Sequence, residues 1–200
     1  MKNNITITIG SDYGAGGPAI GKKIAEDYGI PCYDRRIIDR IIEETGFSRS
    51  LTEVAETGAE VKGRRVAATS GGSTSYSDLT DKVVYIQTQI IKKLADKGPC
   101  VFVGRCADYV LKDRENVLNV FVYAPDSYRL ANIKDTLKIS DKAAQYQMEK
   151  NDEQLHARYK QMTGTYRGDR HNRHMLIDSS ILGVEETAKF IEAFAEKCFP

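Results

Sequence analysis

The sequence predicts an α/β domain in which a mostly parallel sheet of about five strands carries helices on both faces. Three observations carry that expectation. Short β-branched or apolar runs alternate with longer stretches of helical periodicity along the whole chain. A glycine-rich stretch, four glycines in the eight residues Gly10 to Gly17, joins the first strand run to the first helical one. The length, 200 residues, suits one domain, taken as 1–200.

Ile5-Thr6-Ile7-Thr8-Ile9 alternates branched apolar residues with threonine and reads as the first strand. Pro18 to Tyr28 reads as a helix: Pro18 suits a first helical position, and Ile20, Ile24 and Tyr28 fall on one face. Ile30 to Tyr33 is a short strand candidate. Asp34 suits the cap of a helix whose stripe is Ile37, Ile38, Ile41 and Ile42. A weaker helix is expected over 50–59. The segment 62–80, rich in glycine and hydroxyl residues, is expected to be a mobile loop. From Asp78 or Thr80 to Lys97 a helix presents Val83, Ile86, Ile90 and Leu94. Pro99 to Val103 is a continuous apolar run, as in a strand buried on both faces. Val117 to Ala124 is the next strand, stopped by Pro125 and followed by a helix over 126–136. Ser140 can cap a long polar helix from Asp141 to about Met162, and a basic loop with Arg167, Arg170 and Arg173 follows. Met175 to Ile177 makes a last strand, and Val184 to Lys197 the terminal helix.

Composition narrows the partners. With 41% hydrophobic residues the chain is not disordered throughout. A net charge of +1, from 29 Lys and Arg against 28 Asp and Glu, argues against binding a nucleic-acid polymer. No apolar run approaches the ~20 residues of a membrane span, and the N-terminus lacks the apolar core of a signal peptide. A cytoplasmic protein without membrane contact is expected. Cys32, Cys100, Cys106 and Cys198 form no metal-ligand spacing and read as buried thiols in a reducing compartment. The three histidines, His156, His171 and His174, share no such spacing either. The oligomeric state is open, a homodimer included.

In open parallel sheets ligands bind beyond the carboxyl ends of the strands. Gly10–Gly17, Asp34-Arg35, Gly104–Asp108 and Asp178-Ser179 all fall there. A glycine loop between a strand and a helix lets backbone N–H groups converge on an anion, with the helix dipole behind them. The loop does not follow G-x-x-x-x-G-K-[ST]: Ser11, Gly17 and Pro18 stand where glycine, lysine and a hydroxyl residue belong, and only Gly16 matches. Lys22 and Lys23 lie roughly 8–9 Å further along the helix and do not substitute.

The chain resembles the cytidylate kinase-like family, a branch of the P-loop nucleoside monophosphate kinases. The matching residues are Ile7-Thr8-Ile9, Tyr13-Gly14-Ala15-Gly16-Gly17 and Ile20-Gly21, then Gly29-Ile30-Pro31-Cys32-Tyr33-Asp34. They continue with Gly104-Arg105-Cys106-Ala107-Asp108-Tyr109-Val110-Leu111, Val120-Phe121-Val122-Tyr123-Ala124-Pro125 with Arg129, and Ser179-Ser180-Ile181-Leu182-Gly183. The resemblance implies a P-loop NTPase-type three-layer αβα sandwich with a helical lid over about 138–173. It also implies ATP-dependent phosphoryl transfer to a nucleoside monophosphate such as CMP or dCMP, with ATP and Mg²⁺ as cofactors.

The chain departs from the family pattern where positive charge is usual. Ser11 and Pro18 replace arginines of the loop and Ala19 a glutamate. After Asp152, Glu153 and Leu155 replace a lysine and an arginine, and Tyr166 stands near the place of a usual tryptophan. Arg158, Arg167, Arg170, Arg173, Arg64 and Arg65 are candidate replacements, although each taken singly also reads as a solvated surface charge. Arg105 either contacts a ligand or pairs with Asp108 or another acid. Asp34 either caps its helix or contacts substrate or Mg²⁺. The expected catalytic residues are Arg105, Arg129 and Arg158. Tyr13, Gly14, Ala15, Gly16 and Gly17 are expected to hold ATP phosphates. Asp34, Arg105, Asp108 and Asp152 are expected at the acceptor, and Asp12 is the candidate for Mg²⁺. The alternative is a catalytically degenerate kinase-like module that binds a nucleotide or phosphate.

Overall fold

The computed structural model describes residues 5–46 and 76–199. The helix expected over 50–59 and most of the 62–80 loop, with Arg64 and Arg65, lie outside the described residues. The first strand, β1 (Thr6–Ser11), is the centre of a five-stranded sheet. It pairs in parallel with β3 (Cys100–Val103) on one side and β4 (Val117–Tyr123) on the other. β2 (Cys32–Tyr33) lies outside β3 and β5 (Met175–Asp178) outside β4, so the order is β2-β3-β1-β4-β5, all parallel. Among the described residues seven α-helices complete the chain: α1 (Gly17–Tyr28), α2 (Arg35–Glu44), α3 (Tyr76–Ala95), α4 (Ala107–Val110), α5 (Asp126–Leu137), α6 (Asp141–Thr163) and α7 (Ser179–Cys198).

Strand alternation divides the core into two layers. Ile5, Ile7, Ile9, Val101, Val103, Leu118, Val120 and Val122 point to one face, where Ile20 and Ile24 of α1 and Ala188 and Ile191 of α7 cover them. Cys100, Phe102 and Val117 point to the other, against Ile38 and Ile42 of α2 and Val83, Ile91 and Leu94 of α3. The two threonines of β1 also face that second layer and are buried. Thr8 donates to Asn119 Oδ1 at 2.7 Å, so the hydroxyl is not left unpaired. α1 lies close on the sheet because Gly21 has no side chain: a Cβ there would stand 2.6 Å from Val103 Cγ2. A third cluster, Ile133, Ala144 and Met148 with Tyr13 against it, fixes α5 and α6 beside the glycine loop.

The helix termini follow their sequence signals. The Asp34 side chain accepts the Ile37 N–H at 3.1 Å, and that of Ser140 the Ala143 N–H at 3.4 Å. Several expectations need correction. Ile37 is 40% exposed and does not share the buried stripe of Ile38 and Ile42. α3 starts at Tyr76, earlier than Asp78, and its buried face runs Val83, Gln87, Ile91, Leu94 rather than through Ile86 and Ile90. Only Cys100 and Cys106 are buried thiols; Cys32 is half-buried and Cys198 exposed. α7 begins five residues before Val184, but Gly183 (φ 69°, ψ −177°) breaks it, so the expected start is that of its second segment. Among the described residues no helix is long and apolar enough to cross a membrane.

Candidate functional site

The glycine loop leaves the carboxyl end of β1 and turns into α1 through two left-handed residues, Gly14 (φ 86°) and Gly16 (φ 85°). At Gly14 the demand is absolute: a Cβ would lie 2.8 Å from the Arg129 carbonyl oxygen. The carbonyl oxygens of the loop are tied back into the protein. Tyr13 O accepts from Arg129 Nη1 at 3.2 Å, Gly14 O from Asn132 Nδ2 at 3.0 Å, and Ala15 O from Ser179 Oγ at 2.7 Å. No acceptor among the described residues takes the N–H groups of Gly14 or Gly16. The loop therefore presents donors outward at the positive end of α1, which is the electrostatic form of an anion cradle.

Four arginines are buried around this edge of the sheet: Arg105, Arg129, Arg158 and Arg173, each no more than 9% exposed. The reading of Arg158 and Arg173 as solvated surface charges is thereby overturned. Arg129 opens α5 and donates to Asp152 Oδ2, and to Asp126 Oδ1 at 2.8 Å. Burial works to lower its pKa, and these carboxylates outweigh that and raise it. Arg167, from the loop after α6, reaches down to the Ser11 carbonyl, to Asp12 Oδ1 at 3.1 Å and to Asp152 Oδ1 at 2.9 Å. Asp152 Oδ1 also accepts the Tyr13 N–H at 3.0 Å. Burial raises the pKa of Asp12, with Arg167 pulling the other way.

A second group lies beyond β3. Gly104 (φ 71°), Arg105 (φ 61°) and Cys106 (φ 52°) are consecutive left-handed residues, and the two without glycine's freedom store backbone strain. The buried Gln87 side chain holds this turn, its Nε2 donating to Arg105 O at 2.9 Å, while its Oε1 accepts from Arg158 Nη2. Of the two alternatives left open for Arg105, the structure has an acid partner: its guanidinium bonds Asp39 of α2, not Asp108. Asp108 instead accepts from Arg173 Nη1 and from the Tyr159 hydroxyl at 2.7 Å. Burial, reinforced by Asp108, pushes the Tyr159 phenol well up. Arg173 also donates to Arg167 O at 2.9 Å, and the guanidinium groups of both lie against the Phe121 ring, at 5.6 and 5.7 Å.

The geometry thus brings Tyr13, Gly14, Gly16, Asp12, Arg129 and Asp152 together, and gathers Arg105, Arg158 and Asp108 nearby with Arg173. Asp34 is engaged as the α2 cap. Gln87, Asp39 and Tyr159 escaped the sequence reading. Gln87 carried a usable signal, a polar residue four after Val83 and four before Ile91 on an otherwise apolar face. The structure adds to the reading of Ser11: a Cβ at Gly17 would stand 2.3 Å from Ser11 Oγ, so the serine fills the space beside the position where lysine is missing. Among the described residues no group of three or more His, Cys, Asp or Glu is placed to hold a metal ion.

Known proteins share this architecture. The chain is similar over 96% of its length to a crystal structure of an uncharacterized protein from Eubacterium ventriosum ATCC 27560, of which 98% is covered, at 21% identity and a TM-score of 0.75. A shikimate kinase from Acinetobacter baumannii in complex with shikimate aligns at 17% identity and a TM-score of 0.52, covering 98% of this chain and 94% of its own. A gluconokinase from Sinorhizobium meliloti 1021 aligns at 16% identity and a TM-score of 0.52, covering 97% and 95%. At these identities the likeness establishes the fold, the P-loop-type αβα sandwich, and nothing finer. No curated protein matches the sequence. The family model for the cytidylate kinase-like family matches residues 6–181, nearly the whole described fold and every segment of the site. The chain therefore belongs to the cytidylate kinase-like family.

Proposed function

We propose that the protein transfers a phosphoryl group from ATP to a small acceptor, a nucleoside monophosphate of the CMP or dCMP type. The observation that carries this reading is the pair of loop N–H groups without an acceptor among the described residues, Gly14 and Gly16, in a loop whose carbonyls Arg129 and Arg167 hold, with further buried arginines beside it. The chain's residues fit a polyphosphate: the Gly14 and Gly16 N–H groups and the α1 dipole meet its oxygens, and two guanidiniums close over them. They fit Mg²⁺ less well. Pro18 offers no hydroxyl, and the one loop carboxylate, Asp12, is engaged by Arg167. An ion arriving with the nucleotide would be held by its phosphates and water.

Transfer is direct and in line. An acceptor oxygen forms a bond to the γ-phosphorus as its bond to the bridging oxygen breaks, and ADP leaves. The chain's own part is positioning and charge stabilisation. Tyr13, Gly14, Ala15, Gly16 and Gly17 hold the donor phosphates. Arg129, with Arg158 and the lid arginines, stabilises charge on the transferred group, supplying what position 17 lacks. Arg105, Asp108 and the segment after Asp34 face the acceptor, and Asp152 reaches it once the lid arginines exchange its carboxylate for phosphate.

A non-catalytic phosphate-binding module is the second reading. It is favoured by Ser11 standing against Gly17 and by acids on Arg105, Arg129, Arg167 and Arg173. Thermal melting with Mg·ATP, then with CMP added, tests both. A ligand at about a hundred times its Kd adds roughly 2.7 kcal/mol, or several degrees for a chain this size. ATP consumption across CMP, dCMP, UMP and AMP, abolished by Arg105→Ala, supports the kinase. Binding without turnover on that panel leaves the module.

A further inference from the structure

The Asp152 carboxylate is not explained by its own helix. It sits in the interior of the polar α6, and its hydrogen-bond partners lie elsewhere: the Tyr13 N–H at 3.0 Å, Arg129 from α5 and Arg167 from the following loop at 2.9 Å. One backbone amide at the rim of the glycine loop and two guanidiniums converging on one anionic group is the donor set a phosphate oxygen asks for. The same Arg129 also holds the Tyr13 carbonyl at 3.2 Å, so loop and carboxylate share one clamp. The Asp152 side chain is 25% exposed and can leave without unpacking apolar core.

We propose that Asp152 is a built-in stand-in for phosphate, a latch that closes the lid on the glycine loop at rest and that an incoming anion must displace. The idea rests on the reading of that loop as a phosphate site. A carboxylate carries one charge and two oxygens, and a terminal phosphate carries up to two charges and three oxygens, so the exchange favours phosphate and rejects smaller monoanions. The competition lowers affinity in return for a closed resting state. When Asp152 is released, Arg129 and Arg167 are already gathered where the anion arrives, and α6 is freed to swing its carboxylate toward the acceptor. The device makes lid movement conditional on a phosphate of the right charge.

The test is calorimetric titration of the full-length protein with sodium tripolyphosphate at low salt, in the wild type and three variants. Asp152→Asn and Asp152→Ser remove the charge and keep an acceptor for the Tyr13 N–H, so that one serves if the other folds poorly. Glu153→Gln removes the same charge from the exposed neighbouring position. The expected result is tripolyphosphate binding that tightens about tenfold on losing the Asp152 charge, the scale of one charge-assisted hydrogen-bonded partner, with Glu153→Gln close to wild type. An ion pair with only a structural role lowers the melting temperature without tightening the anion. Equal affinity in wild type and Asp152 variants, or equal tightening in Glu153→Gln, overturns the latch and leaves the phosphate site standing. Absence of binding in every protein overturns the site and the latch with it.

Discussion

Gly17→Ala is the most exacting test of the loop. Position 17 is the first residue of α1 and its backbone is not left-handed, so alanine is locally welcome there. The obstacle is across the turn. The new Cβ would lie 2.3 Å from Ser11 Oγ and 2.5 Å from Ser11 Cβ. A rotation of χ1 can move the hydroxyl, but the Cβ is fixed by the backbone of β1, whose last residue Ser11 pairs with Val122 of β4. The first turn of α1 must therefore lift from the sheet. Overpacking of this kind costs roughly 1–3 kcal/mol, and the helix preference of alanine over glycine returns at most about 1 kcal/mol. The net loss is about 1–2 kcal/mol, or roughly 2–8 °C in melting temperature for 200 residues. Calorimetric melts of the wild type, Gly17→Ala, Ser11→Gly and the double variant measure it. Ser11→Gly opens the space, so the double variant should recover about 1 kcal/mol or more relative to the sum of the singles. A Gly17→Ala protein that melts at or above the wild type, or strict additivity, refutes the reasoning. The same first carbon is present in lysine, so Gly17→Lys cannot restore the missing charge unless Ser11 is also removed.

Two further outcomes follow from the ionisable groups. Asp12 has its pKa raised above 3.8 in the folded protein by burial. The folded state then holds the proton more tightly than the unfolded one, so this group's contribution to stability falls as pH rises through the window above 3.8 and stays lost at neutrality. Asp12→Asn should therefore raise the melting temperature at pH 7, with the gain vanishing below about 3.8; a pH series of melts reads it. Burial pushes the thiols of Cys32, Cys100 and Cys106 up to about 11. With a disulfide-exchange reagent at pH 8, the exposed Cys198 should react in a fast first phase, the half-buried Cys32 more slowly, and Cys100 and Cys106 only on unfolding.

The architecture was legible because its signals are local. Each strand run is bounded by a glycine, a proline or a cap, and the Asp34 and Ser140 caps are where the sequence puts them. The strand order was not legible, since parallel pairing joins residues such as Thr8 and Asn119 that share no local signal. The α3 face failed for a different reason. Val83, Ile86, Ile90 and Leu94 are one valid helical stripe, and Val83, Gln87, Ile91 and Leu94 another; the second lies inward because Gln87 bridges Arg105 and Arg158. Composition has no means of announcing such a bridge. The arginines were visible as a cluster of charge, yet their burial depends on Asp39, Asp108 and Asp152 arriving from three separate elements. Satisfaction of a buried charge is a property of the assembled fold and not of any one segment.

The central position of β1 also bears on how the protein is made. Its sheet partners begin at Cys100 and Val117, so the earliest strand pairing it can form joins residues 94 apart. Closing so long a loop is slow relative to local helix formation. At synthesis rates of about 5–20 residues per second, the Ile-Thr-Ile-Thr-Ile run waits roughly 5–20 s for its first neighbour. During that interval it is an uncharged β-branched segment with open edges, the kind that pairs with other chains. The glycine loop is bent into shape only when Arg129, Asn132 and Ser179 arrive to hold its carbonyls. A chain interrupted before β3 carries every residue of that loop and has no strand paired with β1 to set its form.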